Sequence, residues 1–307
     1  MNSFTNKTRF LHLKKSIFTT FITASGFILL LPLIFYSWRC FLRPPQTNSE
    51  QKLFKGIVYK RNFGLTTRPT VVHVLTIDLS VVGVKALVTP PQAIGKNYST
   101  SARTTSEFLR EFKLQLAVNA NYFHPFRENT PWDYYPHTGD TTYAVGQAIS
   151  NRKVYSKSDN NWGVLCVSQQ NRIQILDTGN CPKNTLQGIA GSDVFIKEGE
   201  SVKSESRQDK PYPRVAVASN KEGNILWLIV VDGKQPLYSE GVTIAELTDI
   251  VQNLGAYTAL NLDGGGSTTL VITKNGKPKL LNSPIHTKLP MQERPVANHL
   301  GFYADAL

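Results

Sequence analysis

The stretch TIAELTDIVQNLGAYTALNLDGGGSTTLVI, residues 243–272, predicts a helix, a strand, a glycine-rich turn and another strand in direct succession. Thr243 and Glu246 form a capping box at the start of the helix, and apolar residues at helical spacing give the helix one buried face. The apolar runs on both sides of NLDGGGS, residues 261–267, predict two buried strands. A hairpin turn needs one or two glycines at most, so the third glycine indicates a turn with a function.

The rest of the chain contains more predicted strands than helices. Apolar residues alternate with period two in 71–79 and 81–88, which predicts a strand pair, and 214–232 predicts a second pair. Another capping box, from Thr104 to Glu107, starts one further helix. This balance predicts an α+β fold, with a mixed, mainly antiparallel sheet packed with a few helices and preceded by one transmembrane helix.

The segment before the domain has the features of a membrane anchor. Residues 16–38 carry no charge, and a helix of this length spans the bilayer core of about 30 Å. Four cations precede it, so the positive-inside rule places the N-terminus in the cytoplasm. A cleaved signal peptide is the alternative, but the apolar run is long and no small-residue cleavage site follows it. We expect a basic cytoplasmic tail at 1–15, the anchor at 16–38, a linker at 39–55 and an extracytoplasmic domain at 56–307, whether periplasmic, extracellular or lumenal.

The charge distribution does not indicate nucleic-acid binding. The chain of 307 residues has a formal net charge of +12, but six basic residues and no acidic residue lie in the first 49 positions. The remainder is only moderately basic and has no Lys/Arg block with interleaved aromatic residues. The predicted partners are therefore a substrate and, through residues 16–38, a membrane.

Two of the three cysteines, Cys166 and Cys181, lie in the part predicted to be exported. In an oxidising compartment they would form a disulfide that closes a hairpin. The alternative is a pair of free buried thiols, and the sequence does not distinguish between the two. No C-x-x-C motif is present, so neither a zinc site nor a thioredoxin-like site is predicted.

Polar residues follow two of the predicted strands. Asn261 and Asp263 are two positions apart at a strand end, so their side chains are expected on one face. The glycines 264–266 allow a ligand to approach the backbone and could present N–H groups to an oxyanion, with Ser267 adding a hydroxyl. Asp232 ends another strand, although Asp-Gly alone is also an ordinary turn signal. The oxygens of this group could hold Ca²⁺ or Mg²⁺, without any EF-hand pattern, and no other cofactor is predicted.

Several segments, taken in order, resemble one known family. They are NANYF (119–123), PRVAVA (213–218), VVDG (230–233), the block 243–271 and ERPVANHLGFY (293–303). Together they are similar to the phosphodiester glycosidase family, which has bacterial members linked to exopolysaccharide biosynthesis, and the similarity spans roughly 70–304. NANYF departs from the family's commoner asparagine-glycine-glycine-aromatic form, and register favours Asn119 over Asn121 as the matching asparagine.

The resemblance implies hydrolysis of a sugar-1-phosphodiester at the bond between the anomeric carbon and a phosphate oxygen. It implies catalytic roles for Asp263, Asp232 and Asn261. It also implies a set of residues that bind substrate or phosphate, the arginines because a guanidinium binds phosphate bidentately: Asn119, Asn121, Arg214, Gly264, Gly265, Gly266, Ser267 and Arg294. We expect a membrane-anchored hydrolase of glycan or envelope polysaccharide. A non-catalytic glycan- or phosphate-binding protein of exopolysaccharide assembly is the alternative.

Overall fold

The computed structural model describes residues 30–65, 67–94, 97–202 and 210–307. The chain divides into two compact units, Met1–Arg43 and Pro44–Leu307. In the first unit, residues 30–41 form helix α1. Among the described residues, no helix has both the length and the apolar character needed to cross a membrane. Residues 16–29, the larger part of the predicted anchor, lie outside the described residues.

The second unit contains two further α-helices, α2 at Thr105–Glu111 and α3 at Ile244–Gln252, and a 3₁₀ helix at Gly265–Ser267. In the described residues the chain forms 26 strands. The first nine are β1 Ser49–Phe54, β2 Ile57–Gly64, β3 Thr70–Asp78, β4 Lys85–Val88, β5 Gln92–Ile94, β6 Asn97–Ser101, β7 Leu116–Asn119, β8 Phe123–His124 and β9 Arg127–Glu128. The next nine are β10 Tyr134–Tyr135, β11 Thr141–Ala144, β12 Ala148–Ser150, β13 Lys153–Ser156, β14 Gly163–Ser168, β15 Ile173–Leu176, β16 Thr185–Gly191, β17 Val194–Lys197 and β18 Glu200–Ser201. The last eight are β19 Arg214–Ser219, β20 Ile225–Val231, β21 Thr258–Asn261, β22 Leu270–Lys274, β23 Lys277–Leu280, β24 Ile285–His286, β25 Leu289–Pro290 and β26 His299–Tyr303.

Three large sheets organise this unit. Sheet I has the order β1-β2-β3-β20-β19-β21-β17-β18, sheet II the order β23-β22-β7-β26-β4, and sheet III the order β13-β12-β16-β14-β15. Three smaller sheets, β5-β6-β11-β8, β9-β10 and β24-β25, complete the described strands. Strands β21 and β22 are neighbours in sequence but belong to different sheets, so the chain passes from sheet I to sheet II between them.

The largest apolar cluster joins the three large sheets. Leu75, Val118 and Leu165, one from each sheet, are fully buried in it, and burial of a side chain of this size contributes about 2 kcal/mol. Helix α3 covers the other face of sheet I, where Leu247 packs. Helix α2 covers the outer face of sheet II with Phe108. Each of these two helices thus covers the outer face of one sheet, and the three large sheets enclose the main core between them.

The structure confirms the strand-rich α+β class. Both predicted capping boxes are present, since the Thr104 and Thr243 hydroxyls accept from the N–H groups of Glu107 and Glu246. The predicted pair within 214–232 is the antiparallel ladder β19–β20. The described ladders are all antiparallel, so the sheets are not mixed. The preceding transmembrane helix is not among the described elements.

Two predictions about strands were wrong or incomplete. Segments 71–79 and 81–88 do not pair with each other: β3 lies between β2 and β20 in sheet I, whereas β4 pairs with β26 in sheet II. Residues 79–84 form the connection between the sheets, and Val82 is exposed rather than buried. In addition, β1 is a strand within the segment expected to be a linker.

Cys166 and Cys181 form a disulfide with their Cα atoms 5.6 Å apart. Cys166 lies on β14, and Cys181 lies in the segment that follows its hairpin partner β15. The disulfide therefore fixes this segment to strand β14. Cys40 is a free cysteine. Of the two alternatives that the sequence left open, the structure contains the disulfide.

Candidate active site

A pocket of about 280 Å³ lies at the point where the chain passes from sheet I to sheet II. Residues from five separate segments line it: Tyr122, Phe123, Phe126, Glu128, Tyr212, Arg214, Lys234, Asn261, Leu262, Asp263, Gly264, Gly265, Gly266 and Arg294. We call it the Asp263 pocket. It brings together seven of the eleven residues expected to act on substrate, namely Asn261, Asp263, the three glycines and two arginines.

Asp263 is the carboxylate at the centre of the connection between the sheets. Its backbone N–H donates to the Ala120 carbonyl at 3.1 Å. Burial raises the pKa of its carboxyl to about 6, and the Ser267 hydroxyl, the nearby Arg294 charge and the Gly264 N–H limit the rise because they stabilise the anion. A carboxyl whose pKa lies near neutrality can exchange a proton under ordinary conditions, which suits general acid-base work.

Each of the three glycines makes close contact with a neighbouring group. A Cβ on Gly264 would lie 2.5 Å from the Pro213 carbonyl oxygen, and one on Gly266 would lie 2.3 Å from a nitrogen of Arg294. Gly265 has a positive φ of 62° and packs beneath the ring of Tyr212. Its N–H donates to the Pro213 carbonyl at 2.9 Å, and the Gly264 N–H contacts the Asp263 carboxylate. These two N–H groups are therefore engaged within the protein and are not available to an oxyanion.

Arg294 lies behind the glycine turn and is held on several sides. Its Nη1 donates to the Ser267 hydroxyl at 3.0 Å, its Nε donates to His286 Nδ1 at 3.3 Å, and its Nη2 pairs with the Glu128 carboxylate. The Phe126 ring lies 4.6 Å from the guanidinium carbon. Burial and the positive charge of Arg294 lower the pKa of His286 to about 4, so His286 is neutral and accepts the hydrogen bond. Arg294 is thus a fixed buried cation.

Two more exposed cations lie at the mouth of the pocket against one aromatic ring. The Lys234 ammonium is 4.1 Å from the centre of the Tyr212 ring and donates to its hydroxyl at 2.8 Å. The Arg214 guanidinium lies 5.6 Å from the same ring, and its Nε donates to the Val242 carbonyl at 3.2 Å. A cation beside an aromatic face keeps its charge while its position is restricted. This geometry favours an anion at the mouth of the pocket.

Asn261 and Tyr122 form another part of the pocket wall. Asn261 Nδ2 donates to the Ser192 hydroxyl at 2.9 Å and to the Tyr122 hydroxyl at 3.4 Å, which fixes the orientation of the amide. Its Oδ1 is buried and has no hydrogen-bond partner among the described residues. Burial and the Asp263 charge raise the pKa of Tyr122 to about 12, so its phenol stays protonated. Asn261 therefore holds one buried acceptor without a partner among the described residues, two positions before the central carboxylate.

Asn119 and Asn121 do not line the pocket; they hold its backbone in place. Asn119 Nδ2 donates to the Asp263 carbonyl at 2.6 Å, and its Oδ1 accepts from the Thr269 N–H at 3.0 Å. Asn121 exchanges hydrogen bonds with Asn298 and donates to the Val145 carbonyl. Asn119 thereby bridges both ends of the glycine turn, whereas Asn121 supports the neighbouring loop.

Asp232 is fully buried outside the pocket. One of its carboxylate oxygens accepts from Asn282 Nδ2 at 3.0 Å and from the Ser283 N–H at 2.8 Å, and the other contacts His73 Nε2 at 3.0 Å. The structure therefore does not bring Asp232 next to Asp263, and the expected oxygen cluster of the two with Asn261 is not formed. In the described part of the chain, no group of three or more His, Cys, Asp or Glu side chains is arranged to hold a metal ion.

The sequence analysis did not select several pocket residues. Tyr122 and Lys234 lie inside or directly after the quoted segments NANYF and VVDG, and Tyr212 directly precedes PRVAVA. Glu128 lies on β9, outside all of the segments that carry the family resemblance. Ser267 lies behind the turn, where it contacts both Asp263 and Arg294.

Two solved structures have a similar fold. A structure of a hypothetical protein from Synechocystis matches 85% of this chain and 64% of its own, with a TM-score of 0.62 and 16% identity. The catalytic domain of the zebrafish N-acetylglucosamine-1-phosphodiester alpha-N-acetylglucosaminidase matches 88% of this chain and 93% of its own, with a TM-score of 0.59 and 19% identity. These similarities show a shared fold.

The sequence comparison defines the class of protein. The bovine N-acetylglucosamine-1-phosphodiester alpha-N-acetylglucosaminidase is 26% identical over 123 residues, which cover 36% of this chain and 23% of that protein. The chain thus spans about a quarter of the length of this curated relative. The profile of the phosphodiester glycosidase family matches residues 112–303, which include all lining residues of the Asp263 pocket. The chain belongs to the phosphodiester glycosidase family, as the resemblance predicted.

Proposed function

We propose that the Asp263 pocket hydrolyses a sugar-1-phosphodiester of a glycan or envelope polysaccharide. The observation that carries the proposal is that one pocket combines a carboxylate of raised pKa with an amide that has an unpartnered acceptor and with three cations. The cations suit a phosphate, and the amide acceptor suits a sugar hydroxyl or amide N–H. The names of the bovine and zebrafish relatives support the same substrate class.

In the proposed reaction, Asp263 acts as the base that activates water. Water attacks the anomeric carbon, the bond from this carbon to the phosphate oxygen breaks, and the phosphomonoester leaves with the bonding electron pair. The proton of the attacking water passes to the Asp263 carboxylate. Arg214 and Lys234 contact the phosphate, and Arg294 stabilises the developing negative charge from behind the turn. A phosphate is a good leaving group, so no strong general acid is required.

The decisive experiment is an activity screen of the full chain in detergent against sugar-1-phosphodiesters that differ in sugar and aglycone, each with and without a chelator. Release of the free sugar and a phosphomonoester is the expected result. Binding of these compounds without turnover across the panel would contradict the proposal and support the non-catalytic alternative, a glycan- or phosphate-binding protein of exopolysaccharide assembly.

The first prediction concerns pH. Because the Asp263 carboxyl has a pKa of about 6 and acts as its anion, kcat/KM should rise as pH increases through about 6 and level off above it. Tyr122, with a pKa of about 12, and neutral His286, with a pKa of about 4, should not affect this range. A pH-rate profile between pH 4 and 9 tests it, and activity that falls across this interval would contradict the assigned role.

The second prediction concerns the unused acceptor. Replacing Asn261 with leucine keeps the side-chain volume but removes both Oδ1 and the Nδ2 donor to Ser192 and Tyr122, so kcat/KM should fall about 10- to 100-fold. The same substrate should be processed normally by Asn184→Leu, an exposed position outside the pocket. Substrate analogues that each lack one sugar hydroxyl or the amide N–H identify the donor that binds Oδ1. With the native protein, the analogue that lacks this donor should have a lower kcat/KM than the complete substrate. With Asn261→Leu, the same analogue and the complete substrate should have similar kcat/KM values.

We also propose that the protein is anchored to a membrane through residues 16–38 and that the domain lies outside the cytoplasm. The uncharged run, the preceding cations and the Cys166–Cys181 disulfide support this location. Membrane fractionation of the full chain, combined with protease accessibility of the domain from each side, tests it. Recovery of the full chain in the soluble cytoplasmic fraction would contradict the proposal.

A further inference from the structure

A second cavity of about 360 Å³ shares a wall with the Asp263 pocket. Trp162 and Ser192 line this cavity, and each contacts a residue that lines the Asp263 pocket. The Trp162 ring packs edge-on against the Tyr122 ring with centroids 5.2 Å apart, and the Ser192 hydroxyl accepts from Asn261 Nδ2 at 2.9 Å. The two spaces are therefore separated by a wall two side chains thick, Trp162 against Tyr122 and Ser192 against Asn261. We call the second space the Trp162 cavity.

The side chains around the Trp162 cavity have the chemistry of a sugar site. Trp162 is partly exposed and offers an apolar ring, whereas Asn160, Asn161 and Asp193 are exposed and polar. Within the part of the chain that the structure describes, the side chains of these three polar residues make no hydrogen bond or ion pair. A sugar ring combines apolar C–H faces with equatorial hydroxyls, so it can use both kinds of surface at once.

The charges of the two cavities differ in sign. The ionisable groups of the Trp162 cavity are two acids and one base, Asp177, Asp193 and Lys197, of which Asp177 and Lys197 pair with each other at 2.8 Å. The Asp263 pocket has three cations against two acids. An anionic phosphate therefore favours the Asp263 pocket, and an uncharged group favours the Trp162 cavity.

The position of the shared wall gives the direction in which the substrate extends. The wall is formed by Tyr122 and Asn261, the residues beside which the proposed function places the sugar, whereas the phosphate is assigned to Arg214 and Lys234, which lie against Tyr212. A sugar residue attached to the reacting sugar, on the side away from the phosphate, would thus reach the Trp162 cavity.

We propose that the Trp162 cavity is a second saccharide subsite, which binds a neutral sugar residue attached to the non-reducing side of the reacting sugar. The preferred substrate is then an oligosaccharide or polysaccharide linked through its reducing end to a phosphodiester, rather than a single sugar-1-phosphodiester. This inference rests on the proposed function for its orientation, but the binding of a neutral saccharide in the cavity can be tested without turnover.

The kinetic test compares two substrates with the same aglycone, a monosaccharide-1-phosphodiester and the same compound extended by two neutral sugar residues. For the full chain, kcat/KM should be about tenfold higher for the extended substrate, equivalent to about 1.4 kcal/mol. The double variant Asn160→Ala/Asn161→Ala should lose this preference while it retains activity on the short substrate. Asn184→Ala, an exposed asparagine outside both cavities, is the matched control and should keep the preference.

The binding test uses neutral oligosaccharides of glucose and of N-acetylglucosamine, two to four residues long, with the same three proteins in a calorimetric titration. Binding by the native chain and the control, lost in the double variant, is expected. Equal kcat/KM for both substrates, or equal oligosaccharide binding by native protein and double variant, would overturn the subsite. If neither phosphodiester is hydrolysed but oligosaccharide binding depends on Asn160 and Asn161, the proposed function fails and the subsite stands.

Discussion

Replacement of Asp263 with asparagine is expected to lower kcat on a sugar-1-phosphodiester by on the order of 10³-fold or more, the range seen when a single catalytic carboxylate is removed. The amide keeps the shape of the side chain and can still accept a hydrogen bond from Ser267, but it cannot take the proton of the attacking water. Binding of substrate should largely survive, because Arg214 and Lys234 are untouched.

The control for this variant is Asp249→Asn, which removes an exposed carboxylate from helix α3 that does not line the pocket. It should have native kcat. The residual activity of Asp263→Asn should also lose the rise with pH around 6, because the group that titrates there is gone. A variant that keeps more than a tenth of the native kcat would exclude Asp263 as the base.

Replacement of Gly266 with alanine is expected to lower kcat/KM about 10²-fold without unfolding the protein. The new Cβ would lie 2.3 Å from Nη2 and 2.7 Å from Cζ of Arg294, so the guanidinium has to move. It has little room to do so, because Ser267, Glu128 and His286 hold three of its nitrogens. A displacement of about 1 Å at a catalytic group can cost a factor of this size.

Gly64→Ala is the matched control, since Gly64 has no positive φ and its nearest neighbour would be the Thr70 hydroxyl at 3.2 Å. Thermal unfolding of both variants should show a cooperative transition, which separates a displaced Arg294 from loss of the fold. Native kcat/KM in a folded Gly266→Ala would mean that the position of Arg294 is not important for the reaction.

The sequence predicted the glycine turn as a site, and the structure adds that the glycines also make close contacts with the protein itself. The third glycine is required by Arg294, and the other two by Pro213 and Tyr212, because a Cβ at any of the three would overlap these groups. Pattern and spacing show that small residues are needed; they do not show whether a ligand or the protein occupies the space. That distinction depends on contacts between residues far apart in sequence.

Contacts between residues far apart in sequence also explain the other differences between the predicted and the observed structure. Asp232 and Asp263 both end predicted strands, yet Asp232 faces the interior, where Asn282, Ser283 and His73 satisfy it. Periodicity identified β3 and β4 as extended segments, but it carries no information about which sheet a strand joins. By contrast, the helix starts and the strand pair β19–β20 depend on local signals, and these were predicted correctly.

Asp263 lies in the connection between sheet I and sheet II. We therefore expect activity to appear only after both sheets have formed during folding. The pocket is completed by segments around residues 122–128, 212–214, 234, 261–266 and 294, so no early local structure can contain it. Contacts this distant in sequence form late. Hydrolysis regained during refolding should therefore lag behind the recovery of β-sheet circular dichroism, and enzymatic activity becomes a reporter of complete assembly rather than of strand formation.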